Sequence, residues 1–510
     1  MRPNRAIEIL PLLAGMAGSF ALPAHAYNFN PSDIVVSESI FVPNTGEAAG
    51  LTVGSPIIVA GSPATGATGT AVATDANLGV FTNSSVDGNF GITSPLILVQ
   101  INPTTDTQDG PALQLPTSLI VTSFPSKSEG SLYLSQDGSS LTIAGYNVAD
   151  GRNPVGALDV SNASTTAASG VSSSNANGIA NRAVAQISAS GSVSTTTFNA
   201  YSGNNPRGAI LNNGTYYAVG NGNAGNTGVE ALTPGNNAPY VSASNQPNNS
   251  TQIGQYNVTQ NGYAADKPVK DNNFRGETIY NNTLYVTKGS GSNGIDTVYQ
   301  VGATGALANG QTLSTNASIN ILPGFSTALA KSGPNYTPFG IWFANSTTLY
   351  VADEGTGGAA DVGLGSHAGL EKWSLVNGVW KLDYTLQAGL IGDTQTYNAP
   401  GFAGTVTTEG LRDITGMVNA DGTVTIYGVT STTDNIANMD NGADPNALVA
   451  ITDVLGDATL PTSETFYTVI APSLGTVIRG VSEAPVPEPG SLALLGSALA
   501  GLGWLRRRRA

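Results

Sequence analysis

Four arginines occupy the same place in a repeated short pattern, and their type and spacing could do chemistry. Arg207, Arg275 and Arg479 each precede a glycine, Arg412 precedes an aspartate, and a run of strand-forming residues follows each pair. A guanidinium group binds a carboxylate or sulfate through two parallel hydrogen bonds. If the four converge on a channel, they can bind an anionic ligand there. The alternative is that each forms an ion pair joining neighbouring repeats, with Glu277, Glu409, Asp413 or Glu483 as partner.

Acidic loops offer a second kind of site. Asp434, Asn438, Asp440 and Asp444 lie in one glycine-containing loop, and an Asp353-Glu354 pair follows a Leu-Tyr-Val run. Such hard oxygen atoms are the ligands that calcium takes, although the order of an EF-hand loop is absent. Solvated acidic loops are the alternative interpretation. We therefore expect no resident cofactor, with calcium as the one metal that these residues would suit.

Histidine and tryptophan provide few further candidates. His367 is the only histidine after residue 25 and the chain has no cysteine, which disfavours a zinc site. The Gly-x-Ser-x-Gly elbow of serine hydrolases is also missing around its serines. Trp373 and Trp380 flank an Asn377-Gly378 turn, so they are either core residues of a hairpin or a stacking platform for sugar.

A repeat must position these side chains. Residues 130, 208, 276, 340, 413 and 480 each end a junction pair, and a short strand, a turn and a second strand follow the first five. Third and fourth strands complete most units. Four strands per unit at this period predict an all-β fold, a β-propeller of about six blades. A seventh blade would need strands in the segment before Glu129 or in 221–273.

Both ends of the body contribute to the predicted ring. Ile34–Ser37, Leu96–Ile101 and Ser118–Thr122 lack an evident first strand, while Gly480–Ala484 is a first strand without followers. The strands from the two ends together make one blade. This blade closes the ring and hides the sheet edges that could otherwise pair with other chains. The propeller is therefore predicted over residues 27–485, with low-complexity segments such as Ser161–Asn181 as surface loops.

Composition supports an exported body rich in turns. The chain has 63 Gly and 28 Pro in 510 residues, only 10% charged residues and no Cys, so its core must hold the fold without disulfides. Residues 27–485 carry 13 Lys and Arg against 32 Asp and Glu, a net charge of −19. Such an acidic body makes nucleic acid and anionic lipid poor candidates as partners, so no nucleic-acid partner is expected.

The two ends resemble targeting segments. Arg2 and Arg5 precede an apolar stretch and an Ala24-His25-Ala26 cleavage site, which predicts a secretory signal peptide over residues 1–26. Residues 486–510 begin with Val486-Pro487-Glu488-Pro489, continue in a small and aliphatic run from 491 to 505, and close with Arg506, Arg507, Arg508 and Arg509. That order predicts a short transmembrane helix with cations on the cytoplasmic side.

This tail resembles the PEP-CTERM sorting signal of exopolysaccharide-producing Gram-negative bacteria. The resemblance covers about the last 25 residues and implies recognition by an exosortase in the inner membrane, cleavage near Pro487–Pro489, and release of the preceding domain to the cell exterior. The whole chain is also similar to exported proteins that pair a Gly-rich propeller-like body with this tail, in Asp33–Val36, Tyr201–Gly208, Leu349–Asp353 and Arg479–Val481. That second resemblance implies no particular activity.

The sequence thus predicts an exported, exosortase-processed protein of the cell surface or extracellular matrix. A non-catalytic propeller that binds extracellular polysaccharide or a surface protein is the leading hypothesis, with transient inner-membrane insertion during export. The alternative is a calcium-dependent propeller hydrolase or lactonase built on Glu129, Glu277, Glu409 or Glu483. Convergence of three of these carboxylates would favour the enzyme, and pairing with the arginines would favour the binding scaffold.

Overall fold

The fold is all-β in the part of the chain that a computed structural model describes, which comprises residues 27–40, 56–58, 68–70, 72–73, 81–82, 93–123, 126–147, 180–222, 226–238, 248–256, 272–290, 294–330, 336–355, 367–399, 402–434, 442, 444–473 and 475–487. One 3₁₀ turn, Ala308–Gly310, is the helical element of these residues.

The strands are given in chain order. Those before residue 124 are β1 (Ile34–Ile40), β2 (Pro56–Ile58), β3 (Thr68–Thr70), β4 (Val72–Ala73), β5 (Phe81–Thr82), β6 (Thr93–Ser94), β7 (Leu96–Asn102), β8 (Thr107–Gln108), β9 (Leu113–Gln114) and β10 (Thr122–Ser123). Those from 132 to 256 are β11 (Leu132–Leu134), β12 (Ser140–Asn147), β13 (Asn181–Ser188), β14 (Val193–Phe198), β15 (Pro206–Asn212), β16 (Thr215–Gly220), β17 (Val229–Leu232), β18 (Thr251–Gln252) and β19 (Gln255–Tyr256).

The remaining strands complete the ring. They are β20 (Phe274–Tyr280), β21 (Thr283–Lys288), β22 (Thr297–Val301), β23 (Ser318–Ile321), β24 (Pro338–Asn345), β25 (Thr348–Asp353), β26 (Gly369–Val376), β27 (Val379–Leu386), β28 (Thr394–Ala399), β29 (Phe402–Val418), β30 (Thr423–Asp434), β31 (Leu448–Val454), β32 (Tyr467–Ile470) and β33 (Thr476–Glu483).

Six sheets form the blades of a β-propeller. The first four are β11-β12-β13-β14, β15-β16-β17-β18, β20-β21-β22-β23 with β19 at its edge, and β24-β25-β26-β27. The fifth is β29-β30-β31-β32 with β28 paired to β29, and the sixth is β33-β1-β7 with β8 and β9 outside. The innermost strands β11, β15, β20, β24, β29 and β33 each contact the next, and β33 returns to β11. The predicted six-bladed fold and its closure by strands from both ends are confirmed.

Tight turns and glycines let the strands meet. Asn213-Gly214, Asn281-Asn282 and Asn377-Gly378 have positive φ at both positions, as two-residue type I′ hairpin turns require. At the junctions, a Cβ on Gly276 would lie 2.2 Å from the Phe339 carbonyl oxygen, and one on Gly480 would lie 2.3 Å from the Leu132 amide nitrogen. These glycines are needed because inner strands of adjacent blades approach closely there.

The hydrophobic core lies between the faces of adjacent blades. One cluster joins the second, third and fourth blades and includes Trp373 and Trp380, which are 6% and 7% exposed. Others join the fourth and fifth, fifth and sixth, sixth and first, and first and second blades. Burial at every interface explains how the ring is held without disulfides. It also places both tryptophans in the core, so they form no sugar platform.

Two details differ from the sequence prediction. Ser118–Thr122 is not a strand of the closing blade: the Pro116 carbonyl accepts hydrogen bonds from Leu119 and Ile120 in a turn, and β8 and β9 take the outer position. The described residues between 221 and 273 supply no seventh blade. They contribute β17 and β18 to the second blade and β19 to the edge of the third, where it pairs with β23 in parallel.

Candidate functional site

All four predicted arginines lie in inner strands and are buried. Arg207, Arg275, Arg412 and Arg479 are 7%, 5%, 3% and 4% exposed. Their guanidinium groups therefore contact protein atoms rather than bulk solvent.

Glu354, which directly follows β25, joins two of these arginines. Its Oε1 lies 3.1 Å from Arg275 Nη1 and its Oε2 lies 3.4 Å from Arg412 Nε. Burial opposes the ionised carboxylate, but Arg275, Lys127, Arg412 and Arg207 together hold the pKa of Glu354 below its ordinary value. The third, fourth and fifth blades are thus linked by one buried carboxylate.

The other two arginines bond mainly to oxygen atoms of the chain. Arg207 Nη1 donates to the Phe274 carbonyl at 3.3 Å, and burial, reinforced by Arg275, lowers the pKa of Arg207 to about 9. Arg479 Nε donates to Ser39 Oγ at 2.7 Å and its Nη1 donates to the Ser126 and Gly442 carbonyls. The network ties neighbouring blades. The sequence predicts the arginines but not their central carboxylate, because Glu354 follows Asp353 in a pair that is typical of an acidic loop.

A cavity of about 460 Å³ lies along the channel, and all six inner strands or the residues next to them line it. In the second, third, fifth and sixth blades, the lining residues come just after the arginine in the same inner strand. Half-buried Tyr133, Tyr280 and Trp342 contribute rings, and Thr278 and Thr415 contribute hydroxyl groups. The volume falls in the range of small-ligand sites.

The ionisable side chains described in the cavity wall are acids and tyrosines. Four of its lining residues are acids, namely Asp137, Glu277, Asp413 and Glu483, and none of the lining residues that the structure describes is Lys, Arg or His. Two of the four, Glu277 and Asp413, are at most 3% exposed. The cavity therefore favours a cation over an anion.

Asp413 has a structural explanation. Its Oδ2 accepts hydrogen bonds from the backbone amides of Val481 at 3.1 Å and Leu132 at 3.4 Å, and its Oδ1 accepts one from Ile414 at 3.1 Å. Burial nevertheless raises the pKa of Asp413 to about 7. This carboxylate from the fifth blade thus bonds to the inner strands of the sixth and first.

Glu277 differs from Asp413 because neither carboxylate oxygen has a hydrogen-bond partner among the described residues. Its backbone amide donates to the Tyr133 hydroxyl at 3.3 Å, and its Oε1 lies 2.9 Å from the position that a Cβ on Gly208 would take. Burial raises the pKa of Glu277 well above its ordinary value. An unpaired carboxyl in a closed position is costly to the fold.

The predicted calcium ligands fall only partly within the described residues. Asp434 ends β30, and Asn438 and Asp440 fall outside the described residues. Asp444 is buried and acts electrostatically on Arg412. The calcium prediction for this loop therefore stays a prediction.

The carboxylates of the enzyme alternative do not gather into a metal site within the described part of the chain, where no three His, Asp or Glu side chains lie close enough to hold a metal ion. Glu129, for example, accepts hydrogen bonds from Tyr146, Asn205, Thr122 and Ser123. The criterion for the enzyme is not met by those residues.

His367 forms a separate cluster on the fourth blade. Its Nδ1 lies 2.7 Å from Glu371 Oε1, and the other oxygen of Glu371 accepts hydrogen bonds from Tyr336 and Trp373. The hydrogen bond to Glu371 raises the pKa of His367. This contact with Glu371 holds the histidine in place.

The chain leaves the ring beside the cavity. The Val486 amide donates to the carbonyl oxygen of Gly138, a lining residue, at 2.8 Å, and Pro487 is the last described residue. In the described residues no helix has the length and apolar character needed to cross a membrane. The predicted signal peptide, with Ala24 and Ala26, and the predicted tail helix, with Arg506–Arg509, lie outside the described residues.

Comparison with known proteins identifies the tail. The model of the PEP-CTERM protein-sorting motif matches residues 485–509, so the chain carries this motif at its C-terminal end. A search of curated protein sequences finds no match.

Several solved structures match this chain at low sequence identity. The N-terminal domain of Nup159 is 9% identical, with 72% of this chain and 91% of that chain covered and a TM-score of 0.28. The parainfluenza virus 5 hemagglutinin-neuraminidase ectodomain is 9% identical, with 71% of this chain and 76% of that chain covered and a TM-score of 0.33. A PL25 polysaccharide lyase, an ulvan lyase, is 11% identical, with 83% of this chain and 95% of that chain covered and a TM-score of 0.28.

Proposed function

We propose that this chain, which ends in a PEP-CTERM protein-sorting motif, is exported and processed by an exosortase, and that its propeller then acts outside the cell as a non-catalytic binding module. Extracellular polysaccharide or a surface protein is the partner class. The single observation that supports binding is the cavity of about 460 Å³ that all six blades line.

Processing would leave the ring intact. The last strand, β33, ends at Glu483, and the Val486 amide makes the last described hydrogen bond to the ring. Cleavage near Pro487–Pro489 would remove the apolar run and Arg506–Arg509 without breaking a strand pair. The signal peptide over residues 1–26 would start export, and the tail helix would hold the chain transiently in the inner membrane until the exosortase acts.

The arginines serve the scaffold in this proposal. Their burial and their bonds to Glu354, to backbone carbonyls and to serines leave them tied between blades. An acidic body of net charge −19 also disfavours nucleic acid and anionic lipid as partners.

The test has two parts. Fractionation of the host with and without its exosortase should show a shortened extracellular product only when the exosortase is present, whereas full-length protein in the inner membrane of both strains would refute processing. Purified residues 27–487 should bind glycans or surface proteins on arrays, and silence on both would refute the binding role. A calcium-dependent rise in melting temperature together with hydrolysis of an ester or lactone would instead favour the hydrolase.

A further inference from the structure

The channel cavity contains one acidic group that the fold itself does not explain. Asp413 is bonded to three backbone amides, and Glu483 is only half-buried at the end of β33. Glu277 is 1% exposed, and both of its carboxylate oxygens lack a hydrogen-bond partner among the described residues. Buried carboxylates are normally paired or hydrogen-bonded, so an unpaired one in the wall of a cavity points to a partner that arrives from outside.

The missing partner is a hydrogen-bond donor with positive charge. The lining residues include four acids and no basic side chain in the described structure. A metal ion is disfavoured, since no three acidic or histidine ligands converge among those residues. An ammonium group requires fewer protein ligands than a metal ion, because one carboxylate and nearby aromatic faces are enough to bind it.

The rest of the wall suits a sugar ring. Tyr133, Tyr280 and Trp342 are half-buried and present ring surface, and Tyr280 is stacked on Phe343 at 4.6 Å and 6°, which fixes its orientation. Aromatic faces pack against flat apolar surface, and the hydroxyl groups of Thr278 and Thr415 offer polar contacts around it. A lysine side chain would fill little of a 460 Å³ cavity.

We propose that the channel cavity binds an amino sugar, with Glu277 accepting hydrogen bonds from the sugar's ammonium group and Tyr280 and Trp342 packing against its ring. This inference rests on the proposed binding function and names its ligand class. The Tyr133 hydroxyl accepts a hydrogen bond from the backbone amide of Glu277, and the Tyr133 ring and Glu277 Oε1 both lie against Gly208. Because both carboxylate oxygens are buried, the proposal requires the Tyr133 ring to turn aside when the ligand enters.

The test is a titration of residues 27–487 in amine-free phosphate buffer at pH 7, followed by ligand-detected NMR and calorimetry. The probes are glucosamine and its β-1,4-linked dimer, with N-acetylglucosamine, glucose and lysine as comparisons. We expect saturable binding of the two amines and at least tenfold weaker binding of the acetylated, neutral and lysine probes. Glu277→Gln should weaken binding of the amines at least tenfold.

Glu38→Gln is the matched control. Glu38 lies in β1 outside the cavity lining and is likewise a buried carboxylate, 7% exposed, whose pKa burial raises to about 7. The Glu38→Gln variant should bind the two amines as tightly as the native protein does. Equal binding of glucosamine and N-acetylglucosamine, stronger binding of lysine, or full binding by Glu277→Gln would each overturn the proposal.

The result is separable from the binding function itself. Binding of neutral or acidic glycans on an array, with no preference for amines, would overturn the amino-sugar inference and leave the binding module standing. Silence toward every glycan and surface protein would remove both.

Discussion

Replacing Glu277 by Gln tests whether its carboxylate is unpaired in the free protein. In the folded chain burial raises the pKa of Glu277 above its ordinary value of 4.5, so the folded state retains a proton that the unfolded state loses. Stability of the native protein therefore falls as pH rises from about 4.5 to the raised pKa. The Gln variant has no proton to lose at this position and escapes that loss.

The expected size follows from linkage. Each pH unit inside the window costs the native protein about 1.4 kcal/mol relative to the variant. A propeller of this length has an unfolding entropy of about 0.9 kcal/mol per kelvin, so the difference in melting temperature grows by roughly 1.5 °C per pH unit. Other buried acids titrate in the same range, but both proteins contain them and the difference cancels their contribution.

The assay is scanning calorimetry of both proteins from pH 4.5 to pH 8 in amine-free buffer. Glu38→Gln should give the same slope and level off near pH 7, after a total of about 3 kcal/mol, because burial raises the pKa of Glu38 to about 7. Glu129→Gln should instead destabilise, since its four hydrogen-bond donors would face an amide. A pH-independent difference for Glu277→Gln would refute the reasoning.

Three further predictions concern the ring. Glu354→Gln should destabilise by about 3–5 kcal/mol in urea unfolding because it leaves two buried arginines without their anion; a loss under 1 kcal/mol would show that the ion pairs are dispensable. Gly276→Ala should cost at least about 1–3 kcal/mol through its clash with Phe339, whereas Gly456→Ala, whose Cβ meets nothing within 4 Å, should be nearly neutral; equal effects would contradict the close approach of the inner strands. Truncation after Pro487 should leave the melting temperature unchanged, because β33 ends at Glu483, and a clear drop would mean that the tail supports the ring.

Much of the fold could be predicted because its signals are local. Strand-forming runs separated by turn residues recur in every unit, and the strands predicted to begin at Ile34 and Leu96 are β1 and β7, which begin at those residues. The short outer strands β17, β18 and β23 escaped prediction. They have only two to four residues, and their pairing comes from the neighbouring strand rather than from their own sequence.

The site was less predictable because its contacts join distant parts of the chain. The repeated arginines signalled convergence, but Glu354 is 79 residues from Arg275 and 58 from Arg412, and no local pattern links them. Glu277 was one of several candidate carboxylates. Only the closed ring distinguishes it from Glu129, which has four donors, because hydrogen-bond satisfaction depends on packing across blades.

The junction positions separate what the fold needs from what a ligand would use. Five of the six are glycine, and at Gly276 and Gly480 the next inner strand leaves no room for a side chain. The exception is Asp413, whose carboxylate accepts hydrogen bonds from the backbone amides of Leu132 in the first blade and Val481 in the sixth. The sixth blade is the one that strands from both ends of the chain form. Its carboxylate thus strengthens the closure of the ring. Glu277 lines the same cavity without such donors, so its burial lowers the stability of the fold. A bound cation would restore part of that stability.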